Sequence, residues 1–77
     1  MTDGKNQIRS QETLHAKLER IVRKFGFDDI RVSSIKSGHV ELTGTVNDIN
    51  DRALIVAIAR TTPGVQKFTL EIKIEND

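Results

Sequence analysis

Leu14, Leu18, Ile21, Val22 and Phe25 fall at i, i+4, i+7, i+8 and i+11, with polar side chains between them. That spacing lays one apolar stripe along a helix. Ser10 is a candidate N-cap and Glu12 a first-turn carboxylate, while Arg23 and Lys24 suit the negative end of the dipole and Gly26 the C′ position. After a turn at Phe27-Asp28-Asp29 the pattern changes to a period of two, so a strand is predicted over Ile30 to Lys36. Ile30 and Val32 share one phase and Ile35 the other; a bulge at Ser33-Ser34 would bring both halves onto the core face. Ser37-Gly38 is hairpin-turn chemistry. In the second strand, His39 to Val46, the positions Val40, Leu42, Gly44 and Val46 alternate with His39, Glu41, Thr43 and Thr45.

Asn47 or Asp48 caps a second helix whose body, Ala53 to Ala59, is apolar without interruption. Pro63-Gly64 cannot continue it. A last strand, Val65 to Ile74, turns Phe68, Leu70, Ile72 and Ile74 one way and Lys67, Thr69, Glu71 and Lys73 the other. The order is αββαβ. A right-handed crossover would set the third strand parallel to the second. The fold class is α+β: a two-layer sandwich, two helices on one face of a three-stranded mixed sheet, with the other sheet face too polar to bury.

Seventy-seven residues suffice for one domain. Residues 1–9 are polar and predict a flexible N-terminal segment; residues 10–75 predict the domain. Without cysteine there is no disulfide or thiolate metal site. Twelve basic and eleven acidic side chains leave a net charge of +1, unlike the basic excess of a nucleic-acid binder. No apolar run is long enough to cross a bilayer, and the N-terminus lacks a signal-peptide core. A complete chain is therefore expected in the cytoplasm; a domain excised from a longer exported protein would be periplasmic or envelope-associated.

Candidate chemistry is sparse. His15 and His39 have no second ligand at metal spacing. Asp48-Ile49-Asn50-Asp51 resembles a calcium loop only loosely: Arg52 takes a ligand position and no glycine turns the chain. Asp28-Asp29 is better explained by a turn. Ser33-Ser34-Ile35-Lys36 has the Ser-x-x-Lys spacing of acyl-transferring enzymes, but on a regular strand its Ser and Lys point to opposite faces. There is neither a Gly-rich phosphate loop nor the Gly-x-x-Gly of a KH-type RNA module. No enzyme, cofactor or metal is expected.

The run Gly38-His39-Val40-Glu41-Leu42-Thr43-Gly44-Thr45-Val46, then Asp51-Arg52-Ala53, Ile58-Ala59 and Pro63-Gly64-Val65, resembles the BON family (bacterial OsmY and nodulation) over roughly Leu14 to Ile74. Phe68 and Thr69 stand where that family often has Val and Asn, and Ser33-Ser34 interrupts its first strand. The resemblance implies a non-enzymatic module, commonly of the bacterial envelope, that binds phospholipid or other proteins. Similar αββαβ units build rings in secretion systems by packing side by side. Gly38, Gly44 and Gly64 are the structural glycines, with Gly44 expected to admit close approach of a helix or backbone.

Two surfaces are candidates for partners. Lys17, Arg20 and Lys24, with Arg23 adjacent, form a basic stripe on the first helix that would meet anionic phospholipid headgroups, unless it is merely a solvated face balanced by Glu12 and Glu19. On the second helix the resemblance turns Ile55, Ile58 and Ala59 to the sheet. Ile49, Ala53 and Val56 then either pack under the first helix or form an apolar patch for a partner chain. Association with an anionic membrane surface is the leading expectation. Protein interaction or self-assembly, through the second helix or a sheet edge, is the alternative.

Overall fold

A computed structural model describes residues 12–75. The segment 1–9 and the Ser10 cap lie outside them. The elements are α1 (Leu14–Lys24), β1 (Arg31–Lys36), β2 (His39–Val46), α2 (Ile49–Thr61) and β3 (Lys67–Ile74). The sheet order is β1-β2-β3, with β1 antiparallel and β3 parallel to β2. The mixed three-stranded sheet with two helices is the α+β architecture that the pattern predicts.

The α1 cap differs from the expected one. Thr13 is the N-cap, its Oγ1 accepting from the Ala16 N–H at 3.2 Å. Glu12 therefore precedes the helix and lies outside its first turn. The C-terminal end closes as a Schellman motif: the Phe27 N–H donates to the Val22 carbonyl at 3.1 Å and the Gly26 N–H to Arg23 at 2.9 Å. That geometry places Phe25 at the C-cap with 56% of its surface exposed, so it leaves the buried stripe to which its spacing assigned it.

Strand β1 starts at Arg31; Ile30, just before it, is fully buried. The bulge lies at Ile35, between Ser34 (opposite Val40) and Lys36 (opposite His39), and not at Ser33-Ser34. Nor does it turn Ile35 inward, since that side chain is 47% exposed. The extra residue instead puts Lys36 on the same face as Ser33, because their partners His39 and Glu41 share a face. The opposite-face argument against a Ser-x-x-Lys pair is thus overturned; both residues stay exposed, with no hydrogen bond between them among the described residues.

Leu18 and Val22 of α1, Ile55, Ile58 and Ala59 of α2, and Val32, Val40, Leu42 and Val46 of the sheet form one buried cluster with Ile30. Both helices therefore cover the same sheet face. Strand β3 begins at Lys67, two residues later than predicted, because Val65 is held in a turn by its bond to the Thr62 carbonyl. Asp48, rather than Asn47, caps α2, its Oδ1 accepting from the Asp51 N–H at 2.9 Å. Asp48→Ala removes this acceptor from an exposed helix start. It should lower unfolding free energy by about 1 kcal/mol in a denaturant titration; an unchanged midpoint would show that another group satisfies the Asp51 amide.

Candidate functional site

The basic stripe of α1 is largely neutralised where it stands. Glu12, set before the cap, holds Arg20 through two bonds of 3.0 Å, from Nε to Oε2 and from Nη2 to Oε1. These bonds lower the Glu12 carboxyl below its ordinary value and raise Arg20. Glu19 accepts from Arg23 Nη2 at 2.9 Å, one helical turn away. Its other oxygen accepts from the Val32 N–H at 3.4 Å, and Arg31 Nη1 lies 3.9 Å from Oε2. Lys17 and Lys24 make no ion pair among the described residues, and Lys17 is half-buried.

The second candidate surface is open. Ile49 is 60% exposed and Ala53 exposed, with Val56 half-buried. Ile55, Ile58 and Ala59 on the opposite side are all buried. Residues advance about 100° each around a helix. Leu54 and Asp51 therefore flank the core on one side, and Val56 and Arg52 on the other. The Leu54 side lines a cleft of about 350 Å³ with Phe25, Phe27 and the Asp28-Asp29 turn of the α1–β1 connection. Phe25 and Leu54 (40% exposed) are apolar surface that the sequence pattern did not mark: the one reads as a stripe residue and the other as part of an all-round apolar helix.

The histidines stand apart. His39 Nε2 lies 3.1 Å from Thr69 Oγ1, tying β2 to β3 on the polar face, while its Nδ1 is buried without a partner among the described residues. His15 sits half-buried on α1. Asp28 offers its backbone carbonyl to Arg31 Nη1 at 3.2 Å, and Asp48 serves its cap. Among the described residues no group of three His, Cys, Asp or Glu could hold a metal ion, and no helix is long and apolar enough to cross a membrane.

Of the glycines, Gly38 closes the β1–β2 turn, its carbonyl accepting from the Gln66 and Lys67 N–H groups at 2.8 and 3.0 Å. Gly64 lies against Leu14, and Gly44 lies under the Asp29 backbone.

Neither the curated proteins nor the solved structures contain a match to the chain. The family model described as BON domain matches residues 10–76, which include every element above and both candidate surfaces. A match over most of the sequence, on a two-layer αββαβ fold, shows that this chain belongs to the BON domain family, a family of binding modules.

Proposed function

We propose that this BON domain is a protein-interaction module whose contact surface is the outer face of α2, formed by Ile49, Ala53 and Val56. The observation that carries this reading is the solvent exposure of that face, with Ile49 at 60%, beside a fully buried Ile55 on the same helix. Exposed large aliphatic side chains next to small ones give a partner apolar area with few groups to order on contact.

The membrane-surface reading draws on Lys17, Arg20, Arg23 and Lys24. Beyond a Debye length of about 8–10 Å an anionic surface senses each arginine together with its carboxylate. Only Lys17 and Lys24 remain, and at about 1 kcal/mol per cation they contribute roughly 2 kcal/mol. That is weaker than one myristoyl chain, itself a marginal anchor. The charge balance thus favours a protein partner.

An amide NMR dilution series with anionic and neutral micelle arms tests the two readings. Signals of Ile49, Ala53 and Val56 should broaden at high concentration and sharpen on dilution, unaffected by salt. Shifts confined to Lys17, Arg20, Arg23 and Lys24, seen with anionic micelles alone and reduced by salt, would replace this reading with the membrane one. Ile49→Lys should keep the wild-type unfolding midpoint while abolishing the concentration dependence, because a mostly exposed residue carries little folding energy. A large fall in stability would place Ile49 in the core.

A further inference from the structure

The two edges of the sheet are not alike. On β1 the outward-pointing Val32 N–H is occupied by Glu19, and the bulge at Ile35 breaks the ladder beyond it. Both are devices that protect a strand edge from pairing. Strand β3 has neither. It runs from Lys67 to Ile74 in unbroken register with β2, without proline or bulge. The Lys67 and Glu75 N–H groups donate inward, to the Gly38 and Val46 carbonyls at 3.0 and 2.7 Å. In a parallel ladder the bonding alternates, so the odd residues bond to β2 and Phe68, Leu70, Ile72 and Ile74 turn their N–H and C=O groups outward. Among the described residues nothing accepts or donates there. The side chains of these same four residues are only half-buried.

We infer that β3 pairs antiparallel with β3 of a second copy of this chain, about a two-fold axis at Ile72. In that register Ile72 faces Ile72, Leu70 faces Ile74, and Glu71 faces Lys73 of the other copy, twice by symmetry. Opposite charges directly across a non-hydrogen-bonded pair are favourable and like charges are not. A two-fold axis at Glu71 would set carboxylate against carboxylate, and one at Leu70 would set Lys67 against Lys73. An axis at Thr69 also matches charges, but it brings Gln66 into the ladder, and the Gln66 N–H already donates to Gly38. An axis at Ile74 would likewise set Lys73 against Glu75, but Ile74 is the last residue of the strand, so only Lys73 to Glu75 would pair among the described residues. The charge pattern and the extent of the strand together select one self-complementary register, as an isologous interface requires.

Residues directly opposite in an antiparallel pair point to the same face. The joined sheets would therefore carry all four helices on one side, and the half-buried Leu70, Ile72 and Ile74 of the two copies would cover each other. The Leu54 flank of α2 faces the α1–β1 connection, so the Val56 flank is the one turned away from it, towards the β3 edge of the sheet. The inference rests on the interaction-module reading and names its partner.

The test combines sedimentation with amide exchange on the full chain. In dilute solution the amides of Phe68, Leu70, Ile72 and Ile74 should exchange fast and those of Thr69, Glu71 and Lys73 slowly. At high concentration Leu70, Ile72 and Ile74 should become protected as a dimer forms. Glu71→Lys and Lys73→Glu are both exposed changes, and each should weaken dimerisation roughly tenfold or more by setting like charges opposite. The double variant, Glu71→Lys with Lys73→Glu, should restore it.

Single variants that dimerise like wild type, or a double variant that stays weak, would overturn the register. Outward amides already protected in the monomer would show that another part of the chain covers the edge, overturning the inference. If the α2 signals sharpen on dilution while the β3 amides exchange freely at every concentration, the α2 reading stands and this inference fails. If neither depends on concentration, self-association fails altogether.

Discussion

Gly44→Ala should lower the unfolding free energy by about 2–5 kcal/mol, from a total of roughly 4–12 kcal/mol for a chain of this size. Gly44 has φ +141°, a conformation that a side chain rarely adopts. An added Cβ would also come within 2.9 Å of Ile30 Cδ1 and 3.1 Å of the Asp29 carbonyl carbon, with the Asp29 oxygen closer still. Backbone cannot swing aside as a flexible side chain can. Accommodating the methyl would lift the α1–β1 connection off β2 and take the fully buried Ile30 with it. In thermal unfolding the midpoint should fall by about 10 °C or more, at 4–8 °C per kcal/mol for a domain of this size. Gly26→Ala is the control: φ is also positive, at +96°, but an added Cβ meets nothing within 4 Å. It should cost about 1 kcal/mol from the backbone alone. Equal losses at the two glycines would mean that the Asp29–Gly44 approach carries no stability of its own.

The same strand shows why much of the fold was legible in the sequence. Val40, Leu42, Gly44 and Val46 alternate without a break, and Phe68, Leu70, Ile72 and Ile74 repeat that alternation in register opposite them. Period two with one polar phase admits only a sheet with one covered face. Where the pattern breaks, the sequence marks that something changes but not where. Ile35 stands out of phase in β1, and the pattern alone does not say whether a bulge before it restores it to the core or it is itself the bulged residue; the pairing partners show the second, and Ile35 stays exposed. Phe25 continues the α1 stripe by spacing, but the Schellman turn at Gly26 releases it to solvent one residue too late for the core.

The candidate surfaces were legible as residue sets and not as physical states. Local rules pair charges at i, i+3 and i+4, so Glu19–Arg23 is readable, whereas Glu12 reaches eight residues along to Arg20 because it stands outside the helix. The open edge of β3 has no signature at all in side-chain pattern. Its outward groups are backbone, and which residues present them follows from the phase of the hydrogen bonds to β2.

On α2 the periodic signal fails, because Ala53 to Ala59 is apolar on every side. Two isoleucines on that helix measure what the structure adds. Ile55 is fully buried in the core cluster, and Ile49, six residues earlier on the same helix, is 60% exposed. Ile55→Ala should cost about 2–5 kcal/mol, combining lost transfer energy with the cavity left beside Leu18 and Leu42. Against a total of roughly 4–12 kcal/mol, that can leave a substantial unfolded fraction at 37 °C. Ile49→Ala removes the same atoms from solvent-facing surface and should stay within about 0.5 kcal/mol of wild type. A denaturant titration of both variants decides the matter, read from the midpoint at constant slope. Comparable losses would mean that something covers Ile49 in the folded chain, so the α2 face would not be available to a partner. A loss confined to Ile55 separates a folding side and a contact side on one helix, which is the division of labour that an interaction module requires.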